Sequence, residues 1–330
     1  MTAIFTRRRL MLGALALAGC ASAGCSRSAA ETYPARPLRL LVGGAAGSVP
    51  DTVARLVAER LAAALGQPVV VDDRPGASGI LAMQALLAAP ADGYTIALAT
   101  ISQAVFNSYL FSKLSYDPLR DLAPVSPLVA GPLVIVAHPA FSANTFEAFV
   151  ARAKAEPGRI LFGTTQLGSP PDVFARFLIR AVGGDVVFVP FKSGPEGMNG
   201  ALRGDVQLFV DSPLILREQV KAGRLKALAV TGHAREKELP DVPTLAEAGF
   251  PTALGEPWIG LVARTGTPGE AVDRLNREIS AILRNADLRE RLEKLSLVAV
   301  TGSPVEFAAR MREEHARWGA AIRAAGLKLD

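Results

Sequence analysis

Residues 38–51 read LRLLVGGAAGSVPD and join two different hydrophobic patterns. The largely apolar Leu38–Val42 predicts a strand, and TVARLVAERLAAALG, residues 52–66, predicts an amphipathic helix that ends at Gly66. The small residues between them let a ligand approach the backbone, and a helix start offers unpaired N–H groups that favour an anion. The stretch therefore predicts a strand, an anion-binding turn and a helix.

The alternation of strand-like and helix-like segments continues along the chain. Further strands are predicted in QPVVVDD, ADGYTIALAT, PLVIVAHP, ILFGTT, DVVFVPF, GDVQLFVDSP, RLKALAVTG and PWIGLVAR. Further helices are predicted over residues 80–89, 145–155, 172–182, 268–295 and 304–325. Strands that alternate with helices are typical of parallel sheets with crossover helices, so we expect an α/β fold.

A second turn is similar to the first. Residues 163–171, GTTQLGSPP, follow an apolar strand, consist mostly of small residues and precede a helix with Asp172 near its start. Two similar lobes that face each other across a cleft would explain the pair, although α/β folds commonly offer several such loops. Two helix starts that face each other suit a carboxylate.

Hydroxyl side chains near these turns and strand ends are candidate donors to an anion. They are Ser48, Thr100, Ser102, Thr164, Thr165 and Ser169. Asp51 follows the first turn, where a carboxylate would repel an anionic ligand. We therefore expect Asp51 to cap backbone N–H groups of the first helical turn or to accept from a donor on the ligand.

The distribution of charge argues against a nucleic-acid partner. The chain has 36 Lys and Arg against 31 Asp and Glu, but four of the basic residues and none of the acidic ones fall in the first 30 residues. The remainder is nearly neutral and contains no basic block. A nucleic-acid-binding surface needs clustered Lys and Arg, so we expect no such partner.

Residues 1–30 predict an export leader and a short tether. Arg7–Arg9 precede an apolar stretch, Leu10–Ala18, that is far shorter than the ~20 residues of a membrane-spanning helix. The arginines resemble a twin-arginine signal, and LAGC at residues 17–20 resembles a lipobox with lipidation at Cys20; cleavage at a later small-residue site is the alternative. Both cysteines lie in this leader, so the folded part offers no thiol nucleophile, cysteine metal site or disulfide.

Common catalytic and cofactor motifs do not fit the chain. The first turn lacks both the G-x-G-x-x-G spacing of dinucleotide folds and the lysine of a P-loop. His138, His233 and His315 form no H-x-x-x-H pair, and no G-x-S-x-G elbow is present. The acidic pairs, residues 72–73 and 313–314, are adjacent in sequence, so their side chains diverge. We therefore expect no catalytic residues, no metal and no cofactor.

A series of segments extends in order over nearly the whole chain. It reads YPARPLRLLV, the first turn ending in Asp51, LGQPVVVDDRPGASG, APADGYTIAL, LSYDPLRDLAPVSPL, PGRILFGTT, FVPFKSG, GDVQLFVDSP, AGRLKALAVTG, ELPDVPTLAEAGFP and WIGLVARTGTP. Over about residues 33–326 this series resembles the Bug family of periplasmic solute receptors, the TctC-like substrate-binding components of tripartite tricarboxylate transporters.

The resemblance implies a two-lobed α/β periplasmic-binding-protein fold of type II, a Venus flytrap, with two crossovers between the lobes. Lobe 1 then comprises residues 31–130 and 254–330, and lobe 2 comprises residues 131–253. The two turns would hold a ligand carboxylate through backbone amides and ordered water. The expected ligand-binding residues are Gly44, Ala45, Ala46, Gly47, Ser48, Asp51, Ala77, Ser78, Thr100, Ser102, Thr164, Thr165, Ser169, Lys192 and Asp211.

The resemblance also implies a role. The chain would be a monomeric periplasmic receptor that closes on a small carboxylate and delivers it to membrane transporter subunits. A secreted α/β hydrolase or esterase and a sensory receptor without transport remain open from the residues alone. Arg74 is expected to bind the ligand or to brace its turn, and Trp258 to pack in the hinge or core. Because Ser48 and Gln166 depart from the family's usual turns, the preferred ligand is not implied.

Overall fold

Two β-sheets and the helices around them make up the fold. The computed structural model describes residues 33–251 and 255–329, so the predicted leader and Cys20 lie outside the described residues. The strands are β1 (Leu38–Val42), β2 (Val69–Asp73), β3 (Thr95–Thr100), β4 (Leu122–Ala130), β5 (Val134–Ala137), β6 (Leu161–Thr164), β7 (Val187–Pro190), β8 (Leu208–Asp211), β9 (Lys226–Val230), β10 (Trp258–Arg264) and β11 (Val298–Ala299).

The helices follow the predicted alternation. They are α1 (Val49–Leu65), α2 (Ile80–Ala88), α3 (Asn107–Leu110), α4 (Pro118–Asp121), α5 (Phe146–Ala155), α6 (Pro170–Val182), α7 (Gly194–Arg203), α8 (Pro213–Lys221), α9 (Gly269–Arg284), α10 (Ala286–Lys294) and α11 (Pro304–Ala324). A 3-10 turn covers Ala77–Gly79, and a π-helical segment covers Ser102–Phe106. The predicted strands and helices are confirmed, with the helix predicted over residues 268–295 divided at Asn285, which caps α10.

The sheets are mixed, so the expectation of parallel strands is only partly right. The first sheet has the order β11-β4-β10-β3-β1-β2, and the second has the order β7-β6-β8-β5-β9. β1 is parallel to β2 and β3, but β10 is antiparallel to both β3 and β4. In the second sheet β6 is parallel to β7 and β8, whereas β5 is antiparallel to β8 and β9.

Two of the antiparallel strands, β5 and β10, lie where the chain passes from one sheet to the other. The chain leaves the first sheet after Ala130 and returns to it at Trp258, and these two residues are paired in the β4–β10 register. In the second sheet the entering Val134 pairs with the departing Val230. A strand that returns beside the one that left must run in the opposite direction. The two crossings therefore lie side by side, and the first sheet contains both early and late parts of the chain. The exact lobe boundaries stay a prediction.

Apolar residues fill the layers between sheets and helices. One cluster joins β1 and β3 to α1 and α9 through residues such as Leu40, Val57 and Leu275. Another continues from the first sheet to the second through Phe106, Phe174 and Trp318, whose rings pack edge to face at 5.1–6.0 Å. These contacts set the two sheets on either side of a cleft. Within residues 33–251 and 255–329, no helix combines the length and hydrophobicity that crossing a bilayer requires.

Candidate functional site

A cleft of about 1000 Å³, open mouth included, lies between the two sheets. Nine of the expected binding residues line it: Gly44, Ala45, Ser48, Ser78, Thr100, Thr165, Ser169, Lys192 and Asp211. They come from loops of both sheets, so the structure brings together residues that are far apart in sequence. Their contact with a ligand stays a prediction.

The first turn is held in shape by Asp51 from behind. Gly47 has a φ of 76°, a left-handed conformation that favours glycine, and Ser48 occupies the N-cap of α1. Asp51 Oδ2 accepts a hydrogen bond of 2.8 Å from the Gly47 N–H. Arg55 Nε lies 2.7 Å from Asp51 Oδ1, and Arg55 also pairs with Asp73 at 3.0 Å. Asp51 is therefore held by the turn at Oδ2 and by the ion pair with Arg55 of α1 at Oδ1, and it does not line the cleft.

The second turn has the same construction. Gly168 also has a φ of 76°, and Ser169 occupies the N-cap of α6. Asp172 Oδ2 accepts from the Gly168 N–H at 2.9 Å and pairs with Arg176 Nε at 3.0 Å. Its Oδ1 accepts from Thr164 Oγ1 at 2.8 Å. Asp172 is fully buried, and the Arg176 guanidinium lies over the Phe188 ring at 4.6 Å.

The matching geometry comes from a matching sequence. GSVPDTVAR, residues 47–55, and GSPPDVFAR, residues 168–176, share the pattern G-S-x-P-D-x-x-A-R. This nine-residue repeat is the signal that would have identified Asp172, Arg55 and Arg176 as supports of the turns. In both copies the N-cap serine N–H donates to the carbonyl three residues earlier, Ala45 at 3.0 Å and Gln166 at 2.8 Å. Each turn thus places a helix start at the cleft, where the helix dipole favours an anion, while the prolines in the first turn of each helix leave the free N–H groups mainly to the turn before it.

The remaining expected residues lie outside the cleft. Ala46 and Gly47 belong to the first turn but do not line the cleft, and Ala77 precedes Ser78 in the 3-10 turn. Ser102 is fully buried, and its N–H donates to Thr100 Oγ1 at 3.2 Å. The Thr164 hydroxyl is used by Asp172. Ala46, Gly47 and Ala77 are exposed on the surface, whereas Ser102 and Thr164 are buried behind the cleft wall.

A turn of unusual backbone conformation connects the two sides of the cleft. Gly76, Ala77, Ser78 and Gly79 have φ values of 123°, 46°, 54° and 78°. The two non-glycine residues are strained in this region. The Ser78 carbonyl accepts from Gln103 Nε2 at 2.6 Å and from Asn107 Nδ2 at 3.3 Å, which fixes the turn. The Ser78 hydroxyl donates across the cleft to the Leu167 carbonyl of the second turn.

Gln103 is a site residue that the sequence did not indicate. Its Oε1 accepts from both the N–H and the hydroxyl of Thr100, at 2.7 and 2.6 Å. Since its Nε2 binds Ser78, Gln103 orients two residues that line the cleft. It lies in the π-helical segment next to the cleft, and it lines the cleft itself.

The rest of the cleft wall is largely apolar. It contains Leu98, Val129, Leu133, Ile215, Trp258 and Ile259. Trp258 also packs edge to face on Phe307 at 5.4 Å, which supports the packing role expected for it. Arg74 does not line the cleft and pairs with Asp72 at 3.1 Å, which fits the expected brace of its turn.

Asp211 is a buried carboxyl group at the end of β8. One of its oxygens, Oδ1, accepts from the Ser212 N–H at 2.7 Å. Burial raises the pKa of Asp211 to about 7, because removal from water disfavours the charged form, and the hydrogen bond from Ser212 only partly opposes this. Asp211 is therefore partly protonated near neutral pH.

The histidines do not form a catalytic group with the cleft, and none of the three lines it. His315 Nδ1 lies 3.1 Å from the Tyr109 hydroxyl and Nε2 lies 2.7 Å from the Ala104 carbonyl. Burial lowers the pKa of His315. His138 Nδ1 accepts from the Ala140 N–H, and His233 is exposed. In the part of the chain that the structure describes, no group of three His, Cys, Asp or Glu residues is arranged to hold a metal.

Comparison with known proteins gives matches over nearly the whole chain. The family described as TctC, the tripartite tricarboxylate transporter family receptor, matches residues 53–327. Protein BugT of Bordetella pertussis is 32% identical over 301 residues, which cover 91% of this chain and 92% of BugT.

Solved structures agree with this result. Rpa4515 of R. palustris with adipate has a TM-score of 0.85 and 29% identity, over 90% of this chain and 100% of that chain. MatC (Rpa3494) from Rhodopseudomonas palustris with bound malate has a TM-score of 0.83 and 30% identity, over 88% of this chain and 100% of that chain. These similarities confirm the predicted two-lobed α/β fold of periplasmic binding proteins.

Proposed function

The chain belongs to the TctC family of tripartite tricarboxylate transporter receptors, and from this we propose that it binds a small carboxylate between its two lobes. The observation that carries the proposal is the pair of turns built on G-S-x-P-D-x-x-A-R. Both present a helix start and the turn before it to one cleft, so a single carboxylate can accept backbone hydrogen bonds from the two turns together. The adipate and malate of the similar structures support the same ligand class.

Binding of this kind uses no chemical step. A ligand that contacts both turns interacts more strongly with the closed arrangement of the lobes than with an open one. It therefore shifts the population of the protein toward the closed form. The hydrogen bond from Ser78 to the Leu167 carbonyl is a direct contact between the two sides that would stabilise this form.

The receptor role requires a location and a partner. We expect residues 1–30 to direct export to the periplasm, with a lipid anchor on Cys20, and lobe 1 to consist of residues 31–130 and 254–330. A monomer in the closed form would present its ligand to membrane subunits of a tripartite tricarboxylate-type transporter. A sensory receptor would use the same closure, so only its partner would distinguish it.

The hydrolase alternative has less support. His315 has both ring nitrogens occupied, and none of the histidines lines the cleft. An esterase would need a histidine that can take a proton from a nucleophilic hydroxyl beside bound substrate. Turnover of p-nitrophenyl esters by the purified protein would favour this alternative.

A thermal-shift screen tests the proposed function. The mature protein is heated with mono-, di- and tricarboxylates, aromatic acids and amino acids, with neutral sugars and esters as controls. A specific ligand stabilises the folded state by mass action, so at least one carboxylate should raise the melting temperature in a concentration-dependent way. Stabilisation by neutral compounds alone would contradict the proposal. Mass spectrometry of the membrane fraction should show lipid on Cys20.

A further inference from the structure

Asp211 has hydrogen-bonding capacity that its own protein does not use. It lines the cleft and is only 5% exposed. Oδ1 accepts from the Ser212 N–H, but among the described residues Oδ2 has no hydrogen-bond or ion-pair partner. The residue as a whole is buried, so its carboxyl group has lost most of its hydration, while Oδ2 stays accessible from the cleft and free to accept from a ligand. Asp51 and Asp172, by contrast, each have an arginine and a backbone N–H.

The elements around Asp211 keep its Oδ2 open to the cleft. β5 contributes Val134 opposite Asp211 in the sheet, and α8 contributes the apolar Ile215. At Gly194 a Cβ atom would lie 2.2 Å from Asp211 Oδ2, so a larger residue there would displace the carboxylate. Because Gly194 has no side chain, Asp211 Oδ2 can lie beside the cleft.

Few positively charged groups are available to neutralise the carboxylate of Asp211. Lys192 is the only Lys or Arg among the described residues that line the cleft, but its side chain is exposed and forms no ion pair with Asp211. On α6, which packs against β8, Asp172 is already paired with Arg176. On α7, Glu196 accepts from the Lys192 N–H. The counter-charge for Asp211 must therefore come from a proton or from the ligand.

The local hydrogen bonding favours the ionised form. Ser212 is the N-cap of α8, a helix of nine residues, so Asp211 lies beside a helix N-terminus. Both the Ser212 N–H and the helix dipole stabilise a negative charge at this position. Only the loss of water opposes ionisation, and a cationic group on the ligand would replace that water.

We propose that the ligand carries an ammonium group in addition to its carboxylate, and that the ammonium group pairs with Asp211 Oδ2. This inference rests on the proposed function, because the carboxylate is assigned to the two turns. The largely apolar wall would accommodate the hydrocarbon part of the ligand between the two charged groups. The ligand class is then an amino acid in the broad sense, with the amino group at any position that reaches Asp211.

The alternative is a second carboxylate on the ligand that accepts a hydrogen bond from protonated Asp211. The two cases differ in the direction of proton exchange. With its pKa raised to about 7, Asp211 carries a fractional proton before a ligand binds. An ammonium ligand requires the ionised form, so its binding releases protons near neutral pH and weakens at lower pH. A dicarboxylate requires the protonated form, so its binding takes up protons and strengthens at lower pH.

Titration calorimetry with matched ligands tests the inference. The probes are hexanoate, 2-aminohexanoate, 6-aminohexanoate and adipate, together with 3-phenylpropionate and phenylalanine. Each is measured with the full mature chain in two buffers of different ionisation enthalpy, which gives the number of protons exchanged. The test variant is D211N. The control is D205N, which removes an exposed carboxylate that pairs with Arg203.

An amino-bearing probe should bind about 10- to 100-fold more tightly than its matched acid, and its binding should release protons. D211N should remove both effects, and D205N should retain both. If hexanoate, 3-phenylpropionate or adipate binds at least as tightly as the amino-bearing probes, the inference is overturned while the proposed function stands. Proton uptake on binding of the tightest probe would overturn it too. If neither the aliphatic nor the phenyl-bearing probes bind, and the wider screen finds no carboxylate that binds, the proposed function and this inference both fail.

Discussion

The two turns at the cleft share a local sequence but differ in their surroundings. In the first turn, Asp51 depends on Arg55, whose side chain is 57% exposed and is shared with Asp73. In the second turn, Asp172 is fully buried and binds Arg176, Thr164 and Gly168. The shared pattern sets the geometry of each turn, whereas its environment sets the energy that holds it. We therefore expect a rigid second turn and a more adjustable first turn.

The largest difference is expected between D172A and D51A. D172A leaves Arg176 without its partner in a mostly buried position and removes acceptors from Thr164 and Gly168, so it should lower the free energy of unfolding by about 3–5 kcal/mol. D51A should cost about 1–2 kcal/mol, because solvent screens the exposed Arg55. Urea denaturation of both variants measures the difference. Equal losses would show that the environment of the two turns is not what distinguishes them.

Asp211 sharpens the comparison because, unlike Asp51 and Asp172, it lines the cleft itself and forms no ion pair with an arginine among the described residues. Its raised pKa means that protonation of Asp211 stabilises the folded protein, and this stabilisation is lost as the pH rises through about 7. D211N should therefore be more stable than the parent at about pH 8, by on the order of 2–4 kcal/mol, with the difference vanishing near about pH 4. Denaturation at several pH values checks this. A parent that gains stability relative to D211N with rising pH would contradict it.

Replacing Arg176 should lower the free energy of unfolding more than replacing Arg55, just as D172A should lower it more than D51A. R176A removes the ion pair with Asp172 and the packing of the guanidinium on Phe188, and should cost about 2–3 kcal/mol. R55A should cost about 1 kcal/mol or less and should depend on salt concentration, because its pair is exposed. Urea denaturation in low and high salt gives both values. A salt-sensitive R176A effect would indicate that the second pair is solvated.

The smallest effects on stability are expected for the N-cap serines. Ser169 Oγ lies 2.7 Å from Thr165 Oγ1, whereas Ser48 Oγ has no hydrogen-bond partner among the described residues. S169A should lower the free energy of unfolding by about 1 kcal/mol, and S48A by a few tenths. S48A should instead weaken ligand affinity severalfold, because a small shift of the first turn on binding would let this buried, unpartnered hydroxyl donate to the carboxylate. Calorimetry that shows unchanged affinity in S48A would exclude a direct role for this hydroxyl.

Much of the fold follows from the periodicity of the sequence, and the exceptions have physical causes. β4 was not predicted because Pro124 and Pro127 cannot donate to a ladder, and its pairing with β10 contains register shifts. α7 was not predicted because it contains several glycines. A Cβ atom at Gly197 would lie 2.2 Å from Phe209, so the glycine permits close packing of this helix on the sheet.

The cleft was predictable in its chemistry but not in the direction of each side chain. Small residues before helices predict the two turns, and the Ser and Thr residues near them are candidate donors because they carry hydroxyl groups. Thr164 was expected to face the ligand, but its hydroxyl is used by Asp172 eight residues later. Gln103 was missed because its partner Ser78 lies 25 residues away, a contact that only the folded chain creates.

A crystal structure with the tightest carboxylate from the screen tests the central claim most directly. The ligand carboxylate should lie within hydrogen-bond distance of backbone N–H groups of both turns, residues 42–51 and 163–171, either directly or through one water molecule. A carboxylate held by only one turn, or bound outside the cleft, would contradict the account.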